Sequence, residues 1–339
     1  MQPQRPTVKD LVRLTGFSQG AISRAMNGKS GISEATRDKI LKTAMEVGYQ
    51  PNPAARNFKR GFTKRIGIIL PNLRNPNYSE LFEQLDLIMA DAGYTASLAL
   101  THDSPEREAD IISHWSAGET DALIIHPTTY EKNHDLYQKL LTWRYPALML
   151  YNSFGESFDS IGVDYRLSLR HAVRYLQDVG HRKVAYVGVA PGDPIPLGKY
   201  GCLLSILSDL GVDFDEQLSL LNVPSLMAGP AAFNYWRKQD ALPTAVVAYN
   251  DQAALSIISE AMSRGIRIPE DISVMGSDNI DQAEAVGLST LSVDRRSMAK
   301  IMFDHLQNRM ADFDSPTSII RIRSDFIMRR TLAPPRSRD

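Results

Sequence analysis

The sequence is poor in the residues that build covalent or metal-bound frameworks. It has one cysteine, Cys202, among 339 residues, which excludes an internal disulfide and a cysteine metal site within one chain. The seven histidines are scattered, and none has another His or Cys at metal-ligand spacing. Neither a Walker lysine motif nor a dinucleotide glycine pattern occurs, and no nucleophile and base stand together. We therefore expect no enzyme activity, no cofactor and no metal site.

Long apolar runs are also missing. No run is long enough to cross a bilayer, and the polar N-terminus, Met1–Pro6, lacks the apolar stretch of a signal peptide. The chain is 43% hydrophobic, enough for a full core, and its length suits roughly two or three domains. We expect a cytoplasmic protein with no membrane contact.

The charge is unevenly distributed along the chain. Up to Arg65 there are thirteen Lys and Arg against four Asp and Glu, whereas the rest has 25 basic and 35 acidic residues. The formal net charge of −1 therefore hides a basic head on an acidic body. Since a polyanion is attracted to such a head and repelled by such a body, nucleic acid is the indicated partner.

The basic head has the pattern of two short helices joined by a tight turn. Thr7 and Ser18 stand where N-caps belong, and Gly16 permits the turn between the helices. Apolar residues recur at spacings of three and four, which gives each helix one buried face. These residues are Val8, Leu11 and Val12 in the first helix, and Ile22, Ala25 and Met26 in the second. The pattern predicts a helix-turn-helix whose second helix lies in the major groove.

Two more helices are predicted before the body begins. One runs from about Glu34 to Val47, with Ser33 as N-cap, Gly48 as terminator and an apolar stripe that includes Leu41. The other is a short segment that starts at Asn52-Pro53 and ends at Gly61. It is too short to be stable alone in water, so we expect it to need DNA or its twin in a dimer.

From Arg65 onward, apolar strands alternate with amphipathic helices. This alternation predicts an α/β body with parallel sheets, and the number of strands predicts two similar lobes with a cleft between them. The predicted strands are 66–70, Thr95–Leu100, Ala122–Ile125, Ala147–Leu150, Val184–Val187, Ala245–Ala248, Ile272–Met275 and a tail strand near Ser318–Arg323.

The order and spacing of twelve short motifs make the whole chain resemble the LacI/GalR family of transcription regulators. They are TVKDL (7–11), GFS (16–18), ISRAMN (22–27), YQPN (49–52), NPNY (75–78), VD (163–164), GHRKV (180–184), PTA (243–245), ND (250–251), PEDISV (269–274), GSDN (276–279) and RRT (329–331). The resemblance implies an all-α helix-turn-helix headpiece followed by an α/β core with two lobes similar to periplasmic sugar-binding proteins.

The resemblance also implies domain limits and an assembly. The headpiece would be residues 1–50 and the hinge helix 51–61. One core lobe would be 62–160 with 293–321, and the other 161–292 with 322–339. No heptad helix follows the core, so a homodimer on a near-palindromic DNA operator is expected rather than a tetramer.

The resemblance assigns nine residues to DNA contact. They are Ser18, Gln19, Gly20, Arg24, Asn27, Ser33, Thr36, Arg56 and Phe58. Gln19 and Arg24 have side chains that can bond adenine and guanine edges. Gly20 either lets the backbone approach DNA closely or leaves a base unread.

Several of these residues have a structural alternative. Ser18 and Ser33 can cap helices while they contact phosphate, and Asn27 suits a turn beside Gly28 as well as it suits DNA. Phe58, flanked by basic residues, would be an apolar wedge in the minor groove, or it would pack on the core or the partner helix.

Five residues carry over to the effector cleft. They are Asn75, Tyr78, Asp164, Asn250 and Asp278, whose structural alternatives are an Asx turn, core packing and helix caps. Four departures alter this cleft. Tyr151 stands where some relatives have aspartate, Tyr165 where asparagine is common, Gly198 beside Lys199 where many have arginine, and Pro224 at an aromatic position.

Together these features predict a sequence-specific DNA-binding regulator, most simply a repressor, whose operator affinity responds to a small molecule. The resemblance favours a sugar or sugar derivative, and loss of ligand binding stays open because of the departures. The alternative is a cytoplasmic sugar-binding protein or sugar-processing enzyme on the same two-lobed core.

Overall fold

The computed structural model describes residues 6–49, 62–128, 130–151, 157–189 and 198–336. The chain divides into two compact units, Met1–Thr63 and Lys64–Asp339, which we describe separately. The predicted hinge helix, residues 51–61, lies outside the described residues.

The first unit is built from three helices around a small apolar core. They are α1 (Val8–Thr15), α2 (Gln19–Met26) and α3 (Glu34–Glu46). Thr7 and Asp10 form a reciprocal capping box at the start of α1, and Gly16 ends that helix with φ +74°. The core consists of Leu11, Ile22, Ala25, Ile40 and Ala44.

One residue of the predicted α3 stripe is on the surface instead. Leu41 is 37% exposed, because Ile40 and Ala44, four residues apart, already define the buried face and Leu41 is rotated away from it. The helix itself ends at Glu46, and Gly48 follows with φ +66°.

A six-stranded parallel sheet forms the first lobe of the second unit. The strands are β1 (Arg65–Leu70), β2 (Thr95–Leu100), β3 (Ala122–Ile125), β4 (Ala147–Leu150), β5 (Asp159–Asp164) and β12 (Ile319–Arg323). Their spatial order is β12-β5-β4-β3-β1-β2. The helices of this lobe are α4 (Pro76–Asp91), α5 (Pro105–Ser116), α6 (Tyr130–Thr142) and α12 (Arg295–Ala311).

Both faces of this sheet are covered, which explains its continuous apolar strands. Within β1, Ile66 and Ile68 belong to one buried cluster and Ile69 to the cluster on the opposite face. Gly67 is required by packing, since a Cβ there would lie 2.4 Å from the Trp115 ring.

A second parallel sheet forms the other lobe. Its order is β10-β9-β6-β7, with β8 also paired to β6. The strands are β6 (Lys183–Gly188), β7 (Asp213–Phe214), β8 (Leu220–Leu221), β9 (Ala245–Ala248) and β10 (Ser273–Met275). The helices are α7 (Arg166–Asp178), α8 (Lys199–Leu210), α9 (Ala228–Gln239), α10 (Asp251–Ser263) and α11 (Asp281–Val286), with a 3₁₀ turn at Ser225–Met227.

The chain crosses between the two sheets three times. The crossings follow β5, β11 (Thr290–Ser292) and β12, and β11 pairs antiparallel with β13 (Asp325–Ile327). The limits predicted at residues 160 and 321 fall inside β5 and β12. All of β12 pairs with residues 160–164 of β5, with Ile161 opposite Ile320, so both strands belong to the first sheet.

Candidate DNA interface and effector cleft

Helix α2 presents a polar face that the fold leaves uncovered. Ile22 and Ala25 bury one side of the helix, at 1% and 3% exposure. On the uncovered side of the helix, Gln19, Gly20 and Arg24 are all exposed. The geometry thus leaves two side chains that can read base edges beside a glycine at the start of the helix.

Gly20 has no packing reason to be glycine. A Cβ built there would have its nearest neighbours, the Arg24 guanidinium and the Ser18 hydroxyl, at 3.9 Å, which is ordinary contact. Its φ is not in the left-handed region either, since the residue is helical. Within the described residues, neither packing nor backbone conformation requires glycine at this position.

Ser18 and Ser33 occupy the N-cap positions that their sequence context predicts. Ser18 Oγ accepts from Ala21 N at 3.3 Å, and Ser33 Oγ accepts from Thr36 N at 3.2 Å. Both side chains are exposed, and Thr36 is half-buried with its hydroxyl 2.8 Å from that of Ser33. Capping and a phosphate contact remain compatible at helix N-termini, where backbone N–H groups also favour anions.

Asn27 lies in a turn, as its place beside Gly28 predicts, and its contact with DNA stays a prediction. It is the C-cap of α2, and its amide Nδ2 donates to the carbonyl oxygen of Ser23 at 2.7 Å. The remaining two predicted DNA contacts, Arg56 and Phe58, lie outside the described residues.

Asn75 and Asp278 join the two lobes of the second unit. Asn75 is the N-cap of α4, where its Oδ1 accepts from Asn77 N at 3.0 Å. Its Nδ2 donates to Asp278 Oδ2 at 3.3 Å, across the cleft. The predicted Asx turn and the predicted cleft position therefore coexist in Asn75.

Asp278 is nearly buried in a strained loop after β10. Its side chain is 10% exposed, Lys199 Nζ lies 3.9 Å from its Oδ1, and burial raises its carboxyl pKa while Lys199 opposes that rise. Asp278 and Asn279 have φ values of +119° and +53°. Non-glycine residues rarely adopt such values, and they cluster at ligand sites.

Asp251 accepts a hydrogen bond from the end of this loop and was not among the predicted site residues. It is fully buried, accepts from Ile280 N at 2.9 Å and from Thr290 Oγ1 at 2.5 Å. Burial, followed by the nearby Asp278 carboxylate, raises its pKa to about 6. Its position after Asn250, at the end of β9, is the signal that could have identified it.

Aromatic side chains line the first-lobe half of the cleft. Tyr78 Oη lies 3.2 Å from His126 Nε2, and the His126 ring packs edge-on against Tyr151, with 5.7 Å between centroids. Burial lowers the pKa of His126 to about 4 and raises that of Tyr151 to about 12, so both are neutral near pH 7. His126 was not predicted, although it directly follows strand β3.

Lys199 places a positive charge in the second-lobe half of the cleft. Only 7% of it is exposed, and its Nζ donates to the carbonyl oxygen of Tyr249 at 2.6 Å. The same ammonium lies 5.0 Å from the centroid of the Tyr165 ring and 4.8 Å from that of Tyr249. The departures noted at Tyr165 and Lys199 are thus in contact with each other.

Asp164 and Asn250 each have a partner within the chain. Asp164 forms a two-pronged ion pair with Arg166, at 3.0 and 2.6 Å, which lowers its carboxyl pKa. Asn250 is buried as the N-cap of α10, and its Oδ1 accepts from Ala253 N at 2.9 Å. A cleft role for either residue stays a prediction.

Within the described ranges, no three His, Cys, Asp or Glu side chains lie close enough to bind a metal ion. None of the helices described there combines the length and apolarity needed to cross a bilayer.

Two family models match the chain. Residues 7–52 match the model described as bacterial regulatory proteins, lacI family, and residues 173–332 match the periplasmic binding protein-like domain. The first match covers the three headpiece helices, and the second covers most of the second lobe.

Similar proteins cover more than nine-tenths of the chain. The HTH-type transcriptional repressor CytR of Escherichia coli is 26% identical over 318 residues, which are 91% of this chain and 92% of CytR. A lac repressor dimer bound to operator and the anti-inducer ONPF has a TM-score of 0.84 at 21% identity, with 97% and 100% coverage. The regulator CelR in complex with cellobiose has a TM-score of 0.70 at 21% identity, with 96% and 100% coverage.

These similarities confirm the predicted fold class and favour one functional alternative. The relatives are transcription regulators and not enzymes, so the sugar-processing alternative is not favoured.

Proposed function

Since this chain belongs to the LacI family of bacterial regulatory proteins, we propose that it is a repressor whose operator affinity is set by a small molecule bound between its two core lobes. The single observation that carries the proposal is the Asn75–Asp278 hydrogen bond, which places predicted effector residues of both lobes side by side.

The DNA side of the proposal rests on α2. Gln19 and Arg24 are exposed on the helix that a helix-turn-helix inserts into the major groove, and the surrounding headpiece is strongly basic. Arg24 reads a guanine and Gln19 an adenine, while the serine caps at the N-termini of α2 and α3 contact phosphates. Phe58 wedges into the minor groove from the hinge segment, with Arg56 on the adjacent backbone.

The effector side rests on the polar groups of the cleft. Asn75, Asn77 and Asp278 offer amide and carboxylate groups that suit several hydroxyls, and Tyr78 offers a phenol beside the His126 ring. A sugar or sugar derivative needs this combination of hydrogen-bonding groups and an aromatic surface. CelR, a neighbour in fold, is described in complex with the sugar cellobiose.

A homodimer follows from the operator. A two-fold pair of headpieces reads two half-sites about one helical turn apart, which is the geometry of a near-palindromic sequence. The apolar side chains of Leu226 and Met227, 59% and 55% exposed, lie in the 3₁₀ turn that precedes α9 and are candidates for the contact between subunits. Sedimentation of the purified protein tests the dimer, and a monomer at micromolar concentration would contradict it.

Selection of random duplex DNA by the purified full chain tests the DNA side. We expect a near-palindromic consensus, with Arg24→Ala losing preference at one position of each half-site. Lys42→Ala, on the exposed face of α3, is the matched charge control and should leave the consensus unchanged.

A ligand panel then tests the effector side. Operator affinity at fixed salt is measured with monosaccharides, disaccharides and nucleosides, and Asp278→Asn is compared with the natural chain. We expect one class of compound to change operator affinity by about 5- to 150-fold, the usual range of allosteric coupling, and Asp278→Asn to abolish this effect. Compounds that stabilise the core without changing operator affinity would contradict the proposal.

A further inference from the structure

Arg295 occupies an unusual position at the second of the three crossings between the lobes. It is the first residue of α12, separated from the end of β11 at Ser292 by Val293 and the N-cap Asp294, and its side chain is only 13% exposed. A guanidinium presents five N–H donors in a rigid fork, so one arginine can hold several acceptors at fixed geometry.

The guanidinium of Arg295 bonds both lobes at once. Towards the second lobe, it donates to the main-chain carbonyl oxygens of Asp278 and Asn279, the latter at 3.4 Å. Towards the first lobe, Nε donates to Asn77 Oδ1 at 3.2 Å, and a terminal nitrogen lies 3.2 Å from Glu80 Oε2. Both first-lobe partners lie in the first two turns of α4.

Two further bonds connect the same regions. Asn75, the cap of α4, donates to the Asp278 carboxylate at 3.3 Å. Gln252, in the first turn of α10, donates to the carbonyl oxygen of Arg74 at 2.5 Å. Arg295 therefore makes two of these four hydrogen bonds between the lobes, and its contacts with Asn77 and Glu80 join it to α4 within the first lobe.

The acceptors that Arg295 uses on the second lobe belong to the strained loop. Asp278 and Asn279 have positive φ values, a conformation that surrounding contacts must maintain. Arg329 maintains it from the other side, because its terminal nitrogen donates to Asn279 Oδ1 at 2.8 Å. Arg295 is therefore in a position to couple the shape of this loop to the distance between the lobes.

We propose that Arg295 is a latch that holds the cleft closed without any ligand and positions the Asp278 loop for the effector. This inference rests on the proposed effector cleft, whose regulation it concerns. No bond of the latch requires a bound molecule, since all its acceptors come from the chain itself. The effector then binds to a cleft that is already closed. A substitution at Arg295 therefore changes the proportion of the ligand-free protein in which the cleft is closed.

The distance between the lobes in the ligand-free full chain tests the latch. Spin labels are attached to Asp110→Cys on α5 and Ser205→Cys on α8, both exposed helix positions. The native Cys202 is 4% exposed, and burial raises its thiol pKa to about 11, so it reacts poorly with the label. Labelled protein is diluted with unlabelled protein, so that distances between subunits do not contribute.

Arg295→Gln is compared with Arg296→Gln, which removes the same charge from the adjacent, exposed arginine. We expect one short distance for the natural chain and for Arg296→Gln. Arg295→Gln should add a longer distance, with the open-to-closed ratio raised by about tenfold or more, as for loss of one charge-assisted hydrogen bond. If Arg295→Gln fails to fold, Arg295→Lys keeps the charge beside Glu80 but cannot span both carbonyls, and it should open the cleft partially.

Identical distance distributions for the natural chain and both Arg295 variants would overturn the latch. DNA selection on the same preparations separates this outcome from failure of the proposed function. If Arg295→Gln opens the cleft but the protein selects no DNA, the latch is supported and the repressor function is contradicted. If the protein selects DNA but the distance between the lobes is unchanged in Arg295→Gln, the repressor function is supported and the latch is contradicted.

Discussion

Replacement of Gly20 by alanine should stabilise the headpiece and weaken operator binding at the same time. Glycine in a helix costs about 0.5–1 kcal/mol relative to alanine. The added methyl group meets nothing closer than 3.9 Å, so no steric cost offsets this gain. Protected backbone amides of α2 should therefore exchange their hydrogens about two- to fivefold more slowly in the Gly20→Ala full chain.

Operator affinity should change in the opposite direction. The methyl group is added on the exposed face that carries Gln19 and Arg24, the face proposed to contact DNA. We expect a loss of about 1–3 kcal/mol at fixed salt, as for an altered base contact. Met45→Ala is the control, because Met45 is 83% exposed on α3 and carries no charge. Unchanged operator affinity in a stabilised Gly20→Ala protein would refute close approach of DNA at Gly20 and favour an unread base.

Three further changes test other parts of the account. Arg24→Ala should cost about 1–3 kcal/mol in operator affinity and relax one base preference, as measured by competition among single-base variants of the operator. Phe58→Ala should reduce operator bending in a circular-permutation gel assay, and unaltered bending contradicts the wedge. Burial raises the pKa of Asp251 to about 6, so the folded chain holds this proton more tightly than the unfolded chain does. Stability should therefore fall by about 3 kcal/mol as pH rises from about 4 to 6, and this slope should be absent in Asp251→Asn chemical denaturation.

The sequence was most informative where local chemistry decides the structure. The caps at Thr7, Ser18 and Ser33 and the terminators Gly16 and Gly48 limit the headpiece helices closely. The long apolar strands could also be predicted from the sequence, because strands buried on both faces have continuous apolar runs. Short strands such as Asp213–Phe214 and Leu220–Leu221 were not predicted, since two residues carry no periodicity.

The cleft was less predictable, because its contacts join residues that are far apart in the chain. Asn75 and Asp278 were each assigned through the family resemblance, but their hydrogen bond could not be predicted. Arg295 and His126 gave only a weak signal, namely a polar side chain soon after a strand. Asp164 was assigned to the cleft through the family resemblance, but the structure pairs it with a neighbour in the chain, because Arg166 donates to both of its carboxylate oxygens.

The central claim is that the basic headpiece binds a specific duplex through α2. The most direct test is the affinity of the purified full chain, at fixed salt, for duplex fragments from upstream of its own and adjacent genes. We predict one near-palindromic fragment bound with a Kd of about 10⁻⁸–10⁻¹¹ M, at least about 10³-fold tighter than unrelated DNA. Equal affinity for all fragments, or no binding even at low salt, would contradict the account.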